Sequence, residues 1–389
     1  MYAFYPYTSS GNSRVAYEIS KGLVRRGHDV TVLTTNLLEA ETMFAPRKNE
    51  YNINGIKVRY NSNLFYKPHG VIPMLYSPGV INHIRKSLMD YDIVHLHENR
   101  FYTSIFLHHY AKKYGVPYVL QAHGSVSAKQ SKEHIKMLYD FLFGSRTLRD
   151  ASKVIALNQV EANQFKNAGV PDSNIAIIPN GIDLAMYENL PPAGSFKKKF
   201  DLDEREKVVL YLGRIHRMKG IGFLVRSFAY LAKINGENLK LVIAGPDSGY
   251  LNKVHSLVNT LGISDSVLFA DTLSEENKIS AFVDADIVVN VEPENVFGLV
   301  PLEAAACSKP VIVSNGNAIS EAVHKGKFGF SVKYGDIDEL VEIMRKMLNN
   351  DELLSEMGQK GREFVFENCD WANIITKLES VYEEVAGTK

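Results

Sequence analysis

Cysteine is nearly absent from this chain. Two cysteines in 389 residues, Cys307 and Cys369, cannot build a disulfide framework, and no Cys/His cluster has the spacing of a zinc site. Long apolar runs are missing as well, since no stretch approaches the roughly 20 residues that span a bilayer. The start, MYAFYPYTSS, lacks the basic lead and apolar core of a secretory signal, so the cytoplasm is the expected location. Short repeats and low-complexity tracts are also lacking. Net charge is zero, and no nucleic-acid partner is expected. The charge that is present is unevenly placed. Up to Leu190 there are 21 Lys/Arg against 15 Asp/Glu, and beyond it 23 against 29, which suggests halves with different partners.

What remains is a globular composition, 45% hydrophobic and 23% charged, in a chain long enough for two domains. YDIVHLH, PYVLQAH, KVIALN and NIAIIPN read as buried parallel strands, separated by helical runs that end in glycine. A helix is expected from about Asn12, followed by the strand HDVTVLTTN. The segment from Asn189 to Lys207, with two prolines and clustered charge, reads as an interdomain linker. The pattern then restarts with the strands KVVLYLGR, LKLVIAGP, SVLFAD, DADIVVNVEP and KPVIVS, with a helix after the first and the fourth and a helical stretch from Gly335. The fold class is therefore α/β, with two Rossmann-like domains facing a central cleft. The expected domains are 1–190 and 191–389.

In open α/β sheets, ligands bind beyond the carboxyl ends of the strands. Five loops stand there: SSGNS, AHGS, GRIHRMKG, AGPDSGY and EPENVFG. In GRIHRMKG, Arg214 and Lys219 suit a diphosphate, because two cations neutralise two phosphates without a metal. In NVFGLVPLEAAAC, Gly298 to Val300 offer free amides at a helix start. Glu303 follows one turn later among alanines. A carboxylate there accepts hydrogen bonds from both ribose hydroxyls, and its apolar surroundings demand a partner.

With these pieces assembled, the chain resembles the retaining glycosyltransferases of glycosyltransferase family 4 (glycosyl transferases group 1), which have the GT-B fold. RGHDVTVLTTN, DIVHLH, AHG, VIALN with IIPNGID, YLGR with KG, AGPDSGY and FGLVPLEAAACSKPVIVS carry the resemblance, in order and over nearly the whole chain. It implies metal-independent transfer of a hexose-type sugar from a nucleotide diphosphate sugar, with no separate cofactor and no metal site, and a last helix at about 371–386 that packs back on the first domain. Arg214 and Lys219 would stabilise the diphosphate leaving group. Glu303 would bind the ribose, and the backbone from Phe297 through Gly298, Leu299 and Val300 would face the donor. His123 is similar to the histidine that contacts the donor sugar near its reacting carbon, and the loop around Gly11 would border donor and acceptor. His95 and His97 read as packing residues at a sheet end.

Two positions depart from the family. Eight residues before Glu303, where a carboxylate is usual, stands Asn295; Glu294 lies one residue too early. Either Asn295 contacts the sugar as an amide, or a bulge brings Glu294 into the site. At the start, only Met1 to Ala3 precede FYP, so either the central strand of the first sheet is short or the numbering begins inside the natural chain.

The acceptor, a glycan or a lipid-linked one, is expected on the N-terminal half. There KQSKEHIKMLYDFLFGSRTLR mixes Lys129, Lys132, Lys136, Arg146 and Arg149 with Leu138, Phe141, Leu142 and Phe143, a candidate for peripheral contact with an anionic membrane. Its alternative is a helix with its apolar face in the core and its charges solvated. For the whole chain the alternative is a nucleotide-sugar-binding GT-B protein with weak or no catalysis, acting as a partner subunit.

Overall fold

The computed structural model describes residues 4, 11–39, 42–43, 48, 50–63, 77–126, 133–235, 238–292, 298–316 and 318–387. The chain divides into two compact units, Met1–Gly181 with Trp371–Lys389, and Ile182–Asp370.

The second unit is built on a six-stranded, wholly parallel sheet. Its strands, in spatial order, are Val267–Phe269, Leu239–Ala244, Lys207–Leu212, Ile287–Asn290, Val311–Ser314 and Gly329–Val332. Counted along the chain this is the order 3-2-1-4-5-6 of a dinucleotide-binding fold. Both faces are covered, which the strand KVVLYL makes plain. Val209 and Tyr211 enter one apolar core beside helices Ile221–Asn235 and Ile337–Leu348, while Val208 and Leu210 enter the other beside Phe282 and Leu302. Such two-sided burial explains the continuous apolar strands where alternation would otherwise appear.

The segment that reads as a linker belongs to this second unit instead. Ile182 and Tyr187 are core residues of it, and so is Phe196 in the short helix Ser195–Lys199. Asp284, about 90 residues further on, accepts hydrogen bonds from the amides of Gly194, Phe196 and Lys197. The division thus falls at 181/182, not at 190/191.

In the first unit the described strands form two larger sheets. One pairs Thr31–Thr35 in parallel with Ile56–Asn61, which is antiparallel to Glu50–Ile53. The other runs Val94–His97, Tyr118–Gln121, Lys153–Ala156 and Ile175–Ile177, all parallel. Helix Gly11–Arg25 covers both: Val15 and Ile19 meet Val119 and Ile155, while Ala16 and Tyr17 meet Ile56, Val58 and Phe4. The final helix, Trp371–Ala386, returns to this unit and buries Ile374, Ile375 and Leu378 against the same helix. Trp371 is half-buried against that core. The question of the first strand falls on residues outside those described.

Candidate functional site

A sheet of order 3-2-1-4-5-6 has its switch point between the first and fourth strands, here Lys207–Leu212 and Ile287–Asn290. The loops leaving their carboxyl ends are Gly213–Lys219 and the stretch from Val291. They meet directly. Lys219 Nζ lies 2.6 Å from Glu292 Oε2, and the Glu292 side chain is only 8% exposed. Gly220 makes the approach feasible. Its φ is +72°, and a Cβ there would stand 1.9 Å from the carbonyl oxygen of Val291. Only glycine tolerates both.

Three cations gather on this one turn. Lys219 is pinned by Glu292, whereas Arg214 and Arg217 are exposed. Their combined field is visible at His216, whose pKa is lowered by burial and then by Arg214, Lys219 and Arg217. The result is an electropositive loop at the place where a parallel sheet binds its ligand.

On the other side of the switch point, helix Leu299–Ala306 begins after Gly298, with Gly298, Leu299 and Val300 half-exposed at its start. First-turn amides have no partner inside a helix. Glu303 is on this helix, and its demand for a partner is met within the protein. Lys278 Nζ lies 3.0 Å from Glu303 Oε1 and also 2.8 Å from Glu275. A carboxylate has about four acceptor directions, so this pair leaves capacity for ligand hydroxyls. Glu294, Asn295 and Phe297 lie outside the described residues. Glu292 and Lys278 are the two members that sequence reasoning missed. Glu292 opens the very motif that draws attention, but its role depends on a contact 73 positions away.

The remaining candidates lie in the first unit. Gly11 is exposed and opens its helix, and Asn12 Nδ2 donates to Glu98 Oε1 at 2.5 Å. His123 follows strand Tyr118–Gln121 in a left-handed conformation, φ +50°, as Glu98 does after Val94–His97 at φ +67°. Side-chain-bearing residues held there are strained, and such strain concentrates at functional sites. The turn after His123 is fixed by Glu161, which is 1% exposed and accepts from the amides of Gly124 at 2.6 Å and Leu157 at 2.7 Å.

His123 does not stand alone. Its Nε2 is 2.9 Å from Nδ1 of His97, with ring centroids 5.2 Å apart. His97 stacks on His95 at 4.2 Å, and His95 Nδ1 is 2.7 Å from the hydroxyl of Tyr382 on the returning helix. Burial lowers the pKa of His123 to about 3. Burial and then His123 lower His95 to about 3, and burial followed by His95 and His123 holds His97 well below the usual range. All three rings are therefore neutral at physiological pH. The sequence reading separated His123 from His95 and His97; the structure joins them in one column.

A dinucleotide-type parallel sheet followed by a return of the chain to a second parallel α/β unit defines the GT-B class of proteins. Sucrose-phosphate synthase from Thermosynechococcus elongatus matches with a TM-score of 0.78 at 19% identity, over 98% of this chain and 94% of that one. Anabaena HepE in complex with UDP-glucose matches with a TM-score of 0.76 at 20% identity, over 99% and 98%. The family described as Glycosyltransferase Family 4 matches residues 9–186, and Glycosyl transferases group 1 matches residues 194–364. The chain belongs to glycosyltransferase family 4. Among curated relatives, the N-acetyl-alpha-D-glucosaminyl L-malate synthase of Bacillus anthracis is 25% identical over 97% of this chain and 95% of its own.

Proposed function

We propose that this protein transfers a hexose-type sugar from a uridine diphosphate sugar to a glycan or lipid-linked acceptor, with retention at the anomeric carbon and without a metal. The observation that carries the reading is the electropositive turn at the switch point, with Lys219 clamped by Glu292. In the reaction, the bond between the anomeric carbon and the diphosphate breaks with its electron pair on the phosphate oxygen. Arg214 and Lys219 meet that developing charge, a stabilisation larger in the transition state than before it. The acceptor oxygen forms the new bond, and its proton leaves with the diphosphate. Glu303 accepts hydrogen bonds from the ribose, and the amides of Gly298 to Val300 face the donor. The choice of uridine draws on HepE, which binds UDP-glucose.

The test is a thermal-shift titration with UDP, GDP, ADP and CMP, followed by UDP release from UDP-glucose. Binding to the folded state stabilises by mass action, about 2.7 kcal/mol at a hundred times the dissociation constant. A selective rise with UDP is expected, and it should vanish in Glu303→Ala. Cooperative melting unmoved by any nucleotide would refute the reading. A UDP shift without turnover would favour the catalytically weak partner subunit.

A second reading concerns the acceptor side. Lys129 and Lys132 lie outside the described residues; from Glu133 the basic segment forms helix Glu133–Tyr139, a wider π-type turn over Asp140–Gly144, and helix Ser145–Arg149. Tyr139 and Leu148 are buried, but five of its apolar side chains stay out of the core: Met137, Leu138, Phe141, Leu142 and Phe143 are 54, 56, 80, 45 and 40% exposed. Beside them a cavity of about 440 Å³ is lined by Lys112, Lys113 and Arg146 as well as Leu142 and Phe143. Exposed apolar groups rimmed by cations suit the surface of an anionic bilayer. Among the described residues no helix is long and apolar enough to cross a membrane. The chain is expected to sediment with phosphatidylglycerol vesicles at low salt, to release as salt rises, and to lose binding in Phe141→Asp. Equal recovery with neutral vesicles, or none at low salt, would sink this idea.

A further inference from the structure

His97 has no role in the reading above, yet it contacts the residue that carries one. The backbone of His123 is held by its left-handed turn and by the Glu161 brace on Gly124. What remains free is the orientation of its ring and the placement of its single proton. Both are decided by the ring's partner among the described residues, His97, whose Nδ1 lies 2.9 Å from His123 Nε2.

Two neutral rings sharing this contact have two arrangements. In one, His97 Nδ1–H donates to His123 Nε2, so the proton of His123 must sit on Nδ1. That nitrogen is enclosed and has no hydrogen-bond partner among the described residues. An enclosed N–H without an acceptor is among the rarest and costliest of orphaned groups. In the other, His123 Nε2–H donates to His97 Nδ1, and His97 carries its own proton on Nε2. His97 Nε2 is not among the enclosed, unpartnered atoms, so its proton has no comparable cost. His123 Nδ1 then holds only a lone pair.

Resting on the reading of His123 as a substrate contact, we infer that His97 is a positioning residue for His123: it accepts the Nε2–H and so fixes the tautomer and the orientation of the His123 ring. The support continues outward. His97 is stacked on His95, with the rings 22° from parallel, and His95 is tied to Tyr382. The returning helix thus anchors the far end of the column. Burial keeps both rings uncharged, so no third proton enters the choice. Other groups near the column are Glu98, bonded to Asn12, and Glu161, bonded to two backbone amides. Among the described residues no other group gives the His123 ring a second donor or acceptor.

The experiment is long-range ¹H–¹⁵N correlation of the full chain labelled at histidine. At pH 7.5 His123 is expected as the neutral tautomer with a protonated Nε2 and a bare Nδ1. In His97→Ala its two nitrogens should move toward averaged values, because the ring loses the acceptor that fixes it. In His97→Asn, whose amide oxygen sits where Nδ1 was, the wild-type pattern should return. The corresponding turnover change is a roughly tenfold fall in kcat for His97→Ala, recovered in His97→Asn. A protonated Nδ1 in the wild type would overturn the inference, as would a His123 pattern that His97→Ala leaves unmoved. If His97→Ala does not fold, the wild-type tautomer and His97→Asn still decide. Adding UDP-glucose should shift the His123 ring resonances. No shift, with the tautomer as expected, would remove His123 from the substrate site while leaving the role of His97 intact.

Discussion

Lys219→Ala is expected to lower kcat/KM by about 10²–10³-fold and to weaken the stabilisation given by UDP. The ammonium is held in place before substrate arrives, by Glu292 at 2.6 Å on the neighbouring loop. Preorganised charge of this kind is most effective because nothing has to reorient as the diphosphate departs. Removing the lysine also leaves a nearly buried carboxylate without its cation. The cost to stability should be about 2 kcal/mol, below that of breaking a dry ion pair, because Lys219 keeps 26% of its side-chain surface exposed. Steady-state kinetics and melting temperature together separate the two effects. Glu292→Gln is the informative companion. It keeps the shape and a hydrogen-bond acceptor but releases the lysine from its ion pair, so turnover should fall by a smaller factor. Turnover within threefold of wild type in Lys219→Ala would show that the switch-point turn is not the diphosphate site.

Much of this site was legible in the sequence because its parts are local. A strand ending in a glycine, cations on the following turn, and a helix opening after Gly298 are each encoded within ten or so residues. The parts that escaped are the contacts between distant segments. Glu292 and Lys219 are 73 positions apart, and His95 and Tyr382 are 287 apart. No periodicity signals such pairs. His123 stands out in the sequence through its HG context, while His95 and His97 read as packing because a strand-end histidine usually is; that the three rings touch is visible only in the structure. The linker expectation failed for a different reason. Proline and glycine report that the chain turns, and they do not report whether it stays packed while turning. Phe196, 1% exposed, holds that segment in the core, and Asp284 caps it from almost 90 residues away. The exposed ridge at Leu138 to Phe143 was visible only as composition. The π-type turn, which redirects those side chains, required the structure.

The histidine column sets an acid limit on the first unit. In the unfolded chain each histidine has a pKa near 6.5, whereas in the fold His95 and His123 are lowered to about 3 and His97 well below 6.5. Above pH 6.5 both states are neutral and the groups contribute nothing to pH dependence. As pH falls from 6.5 toward 3, the unfolded chain binds protons that the folded chain refuses, so stability falls. Each histidine costs up to about 1.4 kcal/mol per pH unit in that window. Glu98 works in the opposite direction. Burial raises its carboxyl to about 7 from 4.5, so the folded chain gains a proton between those values and offsets roughly one of the three histidines. Glu161, raised by burial against its two backbone donors, adds to the offset at lower pH. The net expectation is a loss of about 2 kcal/mol between pH 6.5 and 5.5, a large share of the 5–15 kcal/mol typical of a folded protein. Urea unfolding at these two pH values measures it. His95→Phe keeps a stacking ring without a titrating nitrogen, and should flatten the dependence by about one proton. A stability that is level across this range, or a slope unchanged in His95→Phe, would mean that the column is protonated or open in solution. In that case His123 could not remain the neutral ring on which the positioning by His97 depends.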